Sequence, residues 1–104
     1  MRNLLLLLAI SLLTGCALPM DMQMYQLQGA GKPDQAIALF DKELTIDKSD
    51  KETLLPLCNS LRLIHEFARF VECIDAYEEK SDSDFEQSLV ETYRAGMYFQ
   101  FGNY

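Results

Sequence analysis

Apolar residues recur at three- and four-residue steps along most of the chain, and this spacing constrains the fold more than any other feature. The steps connect Ile37, Phe40 and Leu44 and are repeated in residues 54–61 and 71–77. Such spacing places apolar side chains on one face of an α-helix. No segment alternates polar and apolar residues as a half-buried strand does. We therefore predict an all-α fold.

Capping and helix-breaking residues divide this pattern into separate helices. Pro33 fits the first position of a helix, and Ser49 and Ser83, each followed three residues later by Glu, fit capping boxes. Pro56 requires its helix to begin near Thr53, so that its missing N–H falls in the first turn. The predicted helices span residues 20–29, 34–47, 52–64, 67–79 and 83–101.

The first fifteen residues, MRNLLLLLAISLLTG, differ in character from the rest. Arg2 precedes the apolar run 4–13, and small residues follow, which is the arrangement of a secretory signal peptide. The run is shorter than the ~20 apolar residues of a membrane span. We predict a signal peptide over 1–15, a tether over 16–22 and one helical domain over 23–104.

The residues Leu13-Thr14-Gly15-Cys16 resemble the bacterial lipobox, in which a Cys is acylated before the signal peptide is cleaved. The resemblance implies that Cys16 carries a covalent lipid, the only cofactor expected, and begins the mature protein. Several acyl chains are expected because one holds a protein to a bilayer only weakly. Ala17 stands where an Asp would retain a lipoprotein in the inner membrane, which implies the periplasmic face of the outer membrane. The alternative is an ordinary signal peptide.

The charge balance is acidic. Nine basic and 16 acidic residues give a net charge of −7, and removal of residues 1–15 removes one Arg and no acid, which makes it −8. Binding to nucleic acid is therefore not expected, and the membrane is expected to be contacted only through Cys16. An acidic surface suits a basic partner, or it keeps the protein soluble.

Two segments resemble the tetratricopeptide repeat, whose period is 34 residues. They are Leu54-x₂-Leu57-Cys58-x₂-Leu61 with Phe70-x₃-Ile74, and Ala36-x₃-Phe40 of an earlier copy. The expected turns at Gly31, His65 and Gly102 lie 34 and 37 residues apart. The resemblance implies antiparallel helix-turn-helix repeats in an α-solenoid of about two and a half repeats. An unrelated array of helical hairpins is the alternative.

In the resembled family the first helices line a concave groove that receives a peptide or a partner helix. The resemblance therefore implies an adaptor or assembly factor with a protein partner. Relatives by resemblance act in pilus biogenesis, outer-membrane protein insertion or peptidoglycan-enzyme scaffolding. The alternatives are a membrane-tethered spacer and a truncated piece of a longer repeat lipoprotein. Groove positions that match in this sequence are Leu55, Asn59, Arg62, Leu63, Thr92 and Phe99.

Residues with catalytic or metal-binding chemistry are few. His65 is the only His and falls in a predicted turn, and no GxSxG or HExxH motif occurs. The spacing of Cys58, His65 and Cys73 matches no zinc module. We expect no enzymatic activity and no metal site, although a small metal-binding protein or hydrolase is the rival class.

Cys58 and Cys73 lie seven residues before and eight after His65. In an antiparallel helix pair they would therefore lie side by side, at the same distance from the turn along the two helix axes. An oxidising compartment favours a disulfide between them. Two buried thiols that act as small apolar side chains are the alternative.

The last helix carries apolar residues on more than one side. Residues at helical steps from Val90 and from Phe99 point in different directions, so they cannot all face one neighbouring helix. An exposed apolar patch is expected, closed by a partner or by a second copy in a homodimer. The predicted patch contains Tyr93, Met97, Tyr98, Phe101 and Tyr104.

Lipidation is tested by the substitution Cys16→Ser. The variant should incorporate no labelled palmitate and should keep residues 1–15, because the acylated thiol is required before cleavage. Metabolic labelling with intact-mass measurement checks both results. Palmitate in the variant would show that Cys16 is not the anchor.

Overall fold

Five α-helices joined by short connections account for most of the chain from residue 18 to residue 101, which is the part that the computed structural model describes. The side chain of Phe101 is not described. The predictions for the signal peptide, for Cys16, for the turn at Gly102 and for Tyr104 lie outside the described residues. The helices are α1 (Met20–Gly29), α2 (Pro33–Glu43), α3 (Lys51–Leu63), α4 (Phe67–Lys80) and α5 (Asp84–Phe101). No strand occurs between residues 18 and 101, so the all-α prediction is confirmed.

Helix α1 has the predicted bounds, 20–29, and therefore includes Met22, which also falls within the predicted tether 16–22. The C-terminal end of α2 differs from its prediction by several residues. Helix α2 starts with Pro33, as predicted, but ends at Glu43 instead of residue 47. A short 3₁₀ helix, Ile46–Lys48, follows an extended residue and buries Ile46. The Lys80 ammonium donates hydrogen bonds to carbonyls on either side of residue 48, which stabilises this separate turn.

The cap of α3 is one residue later than predicted. Asp50 is the N-cap, and its carboxylate accepts a hydrogen bond from the Thr53 N–H at 2.9 Å. The Ser49 hydroxyl instead donates to the Thr45 carbonyl at 2.6 Å, so the capping box at Ser49 is wrong. At the start of α5, Ser83 does accept from a backbone N–H three residues later, at 3.1 Å.

Pro56 lies in the second turn of α3, because the helix already begins at Lys51. The expectation that it would fall in the first turn was therefore wrong. Its ring is fully buried, and its carbonyl accepts a hydrogen bond from the side chain of Gln28 in α1 at 2.5 Å. Proline lacks the N–H that would bond to Glu52, which leaves one gap in the helix ladder.

The turns that close α1 and α3 have the same backbone pattern. Gly31 and His65, 34 residues apart, have positive φ values of 76° and 64°. At each turn the following N–H bonds back to the fifth residue before it, from Lys32 to Leu27 at 2.8 Å and from Glu66 to Leu61 at 2.9 Å. This is the pairing that ends helices on a left-handed residue. Two of the predicted turns are therefore confirmed.

The core is centred on the antiparallel pair α3 and α4, which packs against α1 and α2 on the side of α3 and against α5 on the side of α4. A disulfide joins Cys58 to Cys73, whose Cα atoms are 5.5 Å apart, and both residues are fully buried. The predicted bridge is thus confirmed. The largest side chains around it that are fully buried are Met24, Phe40, Leu54, Leu57, Leu61, Phe70, Ile74 and Val90.

Replacing both cysteines with alanine should lower the free energy of unfolding by about 3 kcal/mol, the value expected for a closed loop of this length. Urea unfolding of the exported protein measures this. Reductant should destabilise the wild type towards the level of the variant and leave the variant unchanged. Two alkylatable thiols at Cys58 and Cys73 in the unreduced protein would contradict the bridge.

Candidate functional site

Helices α1, α3 and α5 lie side by side and form one surface, which we call the three-helix face. Helix α1 packs on α3, with Asp21 and Tyr25 beside Lys51 and with Gln28 bonded to Pro56. Helix α5 meets α3 at both ends, through Lys51 with Glu86 and through Arg62 with Gln100. The groove residues expected from the sequence all lie on α3 or α5.

The junction of α1 and α3 is built around the side chain of Gln28. Its Nε2 donates to the Pro56 carbonyl and, at 2.7 Å, to the Ser60 hydroxyl. Its Oε1 accepts from Asn59 Nδ2 at 2.7 Å, and Arg62 Nη2 donates to Asn59 Oδ1 at 2.8 Å. Both polar ends of Asn59 are therefore engaged within the chain. An arrangement in which Asn59 holds a partner backbone would require these bonds to break.

The junction of α3 and α5 depends on one ammonium group. Lys51 Nζ lies 2.7 Å from Asp82 Oδ1 and 2.8 Å from Glu86 Oε2. Hydrogen bonds to these two carboxylates raise the pKa of Lys51. At the other end of the junction, Gln100 Nε2 donates to the Arg62 carbonyl at 2.9 Å. Polar side chains thus fix α5 beside α3 at two separated points.

A cavity of about 180 Å³ opens on the three-helix face where α1, α3, α4 and α5 converge, and we call it the tyrosine pocket. Burial, together with Tyr93 and the Asp21 carboxylate, raises the pKa of Tyr25. Burial and the Glu86 carboxylate do the same for Tyr77. Both phenols therefore stay neutral at physiological pH. The lining residues are Asp21, Tyr25, Lys51, Glu52, Leu55, Tyr77 and Glu86.

A second cavity, of about 220 Å³, lies between α3 and α5 and is lined by Arg62, Thr92, Tyr93 and Gly96. It brings together two of the groove residues expected from the sequence, Arg62 and Thr92. Leu55, another of them, lines the tyrosine pocket instead. The remaining three line neither cavity: Leu63 and Phe99 are exposed, and Asn59 is bonded to Gln28 and Arg62.

Helix α5 is less exposed than the sequence predicted. Met97 is buried, and Tyr93 is half-buried with its ring centroid 6.3 Å from that of Phe70. Neither belongs to an exposed patch, because the side of α5 that includes Val90 and Met97 packs into the core. Tyr98 is exposed as expected. Among residues 18–100 the most exposed aromatics are Phe99 at 93% and Phe85 at 72%, of which Phe85 was not predicted.

Arg94 links α5 to α4 through a bidentate ion pair. Its guanidinium lies 2.9 Å from Glu78 Oε1 and 3.0 Å from Oε2, and it also reaches Asp75 at 2.7 Å. Gln87 donates to Glu78 Oε2 at 2.8 Å. The hydrogen bonds from Arg94 and Gln87 lower the pKa of Glu78 to about 2. Sequence patterns did not reveal this cluster, because its members come from two helices.

No group of three His, Cys, Asp or Glu side chains in residues 18–101 is arranged to hold a metal ion. Within the same residues, no helix is both long and apolar enough to cross a bilayer. No protein-family model, curated protein or solved structure matches this chain. A function is therefore inferred from the geometry of the helices and their cavities.

The Arg94 cluster should produce a specific pH dependence of stability. The folded pKa of Glu78, about 2, lies below its ordinary value of 4.5. Its stabilising effect is therefore complete above pH 4.5 and is lost as the pH falls through 2. The difference in free energy of unfolding between the wild type and Glu78→Gln should shrink over that interval.

Urea unfolding at a series of pH values measures this difference. Glu79→Gln is the matched control, because it makes the same charge change at the next position. The Glu79 side chain forms no ion pair with any residue from 18 to 101. A Glu78→Gln effect that stays constant from neutral pH down to acid would show that the pair with Arg94 does not form.

Proposed function

We propose that this chain is a lipid-anchored protein of the cell envelope that binds another protein on its three-helix face. It acts as an adaptor or assembly factor and not as a catalyst. The observation that carries the proposal is the pair of cavities on this face, about 180 and 220 Å³ in volume, which lie where neighbouring helices meet. Cavities of mixed polar and apolar lining give a partner side chain both contact area and orientation.

The turn geometry supports an interpretation as a degenerate tetratricopeptide-like repeat. The positive-φ residues Gly31 and His65 are separated by 34 residues, which is the period of that repeat. On this interpretation α1 with α2 and α3 with α4 are successive pairs, and α5 is the first helix of the next. First helices would then form the binding surface, and α1, α3 and α5 are the first helices on this interpretation.

The disulfide supports a location outside the cytoplasm. Cys58 and Cys73 are bridged within the core, and structural disulfides persist in oxidising compartments such as the periplasm. This agrees with export through the predicted signal peptide. The lipid on Cys16 and the position of Ala17 would place the protein at the periplasmic face of the outer membrane.

Self-association through α5 is the second candidate interaction. Phe85 and Phe99 lie fourteen residues apart on this helix, which brings them to nearly the same side, and both are largely exposed. Exposed aromatic side chains on one side of a helix mark surfaces that are buried on association.

Photo-crosslinking in living cells tests the proposed function. A benzophenone amino acid in place of Tyr25 or Thr92 lies on the three-helix face and should give an adduct with one defined partner protein. The same replacement at Ala38 or Ala68 is the control, because these exposed residues belong to α2 and α4. An adduct of twice the chain's own mass would favour the homodimer, and no adduct at any position would favour the spacer.

A further inference from the structure

The tyrosine pocket is lined by a residue whose polar group has no hydrogen-bond partner among residues 18–101. Tyr77 is only 3% exposed, yet its hydroxyl makes no hydrogen bond with any residue in the described part of the chain. No polar side-chain atom among the described residues is both sealed from solvent and unpaired, so this hydroxyl must reach solvent. Tyr77 lines the tyrosine pocket, whose opening gives the hydroxyl a route to solvent.

The charged groups around this hydroxyl are mostly negative. Three carboxylates and one ammonium line the pocket, which gives it a net charge of −2. The ammonium of Lys51 is already shared by Asp82 and Glu86. Asp21 and Glu52 make no ion pair with any residue from 18 to 101. Among the described residues, the pocket therefore has two carboxylates available for a ligand and no free positive charge.

The remaining lining is apolar and aromatic. Leu55 and the ring of Tyr25, which is 43% exposed, provide a surface beside the carboxylates. A Lys or Arg side chain matches this combination, because its aliphatic stem packs on apolar groups while its charged head donates hydrogen bonds. A cation near a tyrosine ring gains further stabilisation from the ring electrons.

We propose that the tyrosine pocket binds a Lys or Arg side chain from a basic segment of the partner protein. The inference rests on the proposed function and specifies the chemistry of the partner. The side chain's charged head contacts the carboxylates of Asp21 and Glu52 and donates to the Tyr77 hydroxyl oxygen. The acidic net charge of the chain, −7, accelerates the approach of a basic segment.

Fluorescence anisotropy of a labelled Lys-containing peptide tests the inference, with the full chain purified in detergent. The comparison peptide has Gln in place of each Lys. The Lys peptide should bind more tightly, and added salt should weaken its binding because ion pairs at an open pocket are screened. Equal binding of the two peptides would overturn the inference.

Variants assign the binding to the pocket. Asp21→Asn with Glu52→Gln should weaken binding about tenfold, since each exposed ion pair contributes up to about fivefold. Glu43→Gln with Glu91→Gln makes the same change in net charge at exposed positions outside the pocket and should alter binding by less than about twofold. If both pairs of substitutions weakened binding equally, the overall charge of the protein would explain the effect. That result would contradict binding in the tyrosine pocket.

Tyr77→Phe isolates the hydroxyl. It keeps the ring and removes a group that bonds to no described residue, so the unfolding temperature should not fall while binding weakens severalfold. Unchanged binding would exclude the hydroxyl contact. Displacement of the peptide by Ca²⁺ alone, lost in the Asp21 and Glu52 variant, would assign the site to a metal ion instead.

The crosslinking and peptide experiments test different claims, so a negative result in one can be told apart from a negative result in the other. If the partner still forms its adduct at Tyr25 after the Asp21 and Glu52 changes, the proposed function stands and the basic-segment inference is wrong. If the Lys peptide binds as expected but the chain forms no adduct in cells, the pocket chemistry stands and the proposed adaptor function is wrong.

Discussion

The bond between Cys58 and Cys73 fixes α3 against α4, and the other helices are arranged around this pair. A domain of this size has little stability in reserve, because a small chain buries a limited share of its surface. A covalent connection inside the core restricts the unfolded chain and compensates for part of that deficit. Helices α1 and α2 pack on the side of α3, and α5 packs on α4, so their relative positions follow from the bridged pair.

Polar side chains then determine how the outer helices align with α3. Gln28 connects α1 to the backbone and side chains of α3, while Lys51 and Gln100 connect α3 to α5 near its two ends. These links occur at the junctions where the cavities open. The shape of the three-helix face therefore depends on the same hydrogen bonds that hold the helices together. The groups that a partner would contact are side chains of helices and not of loops.

Local patterns in the sequence were sufficient to predict the helices and the turns at Gly31 and His65. They also predicted that Cys58 and Cys73 lie at matching positions along two antiparallel helices. Each of these depends on residues that are close along the chain or symmetric about one turn. Helical spacing does not show which side chains from distant parts of the chain come into contact. Three features depend on such contacts: the end of α2, the hydrogen bond between Gln28 and Asn59, and the burial of Met97. The tyrosine pocket was missed for the same reason, because four helices contribute to it.

The most direct test of this account is whether α1 and α5 both lie beside α3 in solution. Nuclear Overhauser effects report proton pairs that are close in space, and the side-chain amides of Gln28 and Gln100 are suitable probes. Contacts are expected from the Gln28 amide to Ser60 and from the Gln100 amide to the end of α3 at Arg62. Contacts from either amide to α2 or α4 in place of α3 would contradict the three-helix face.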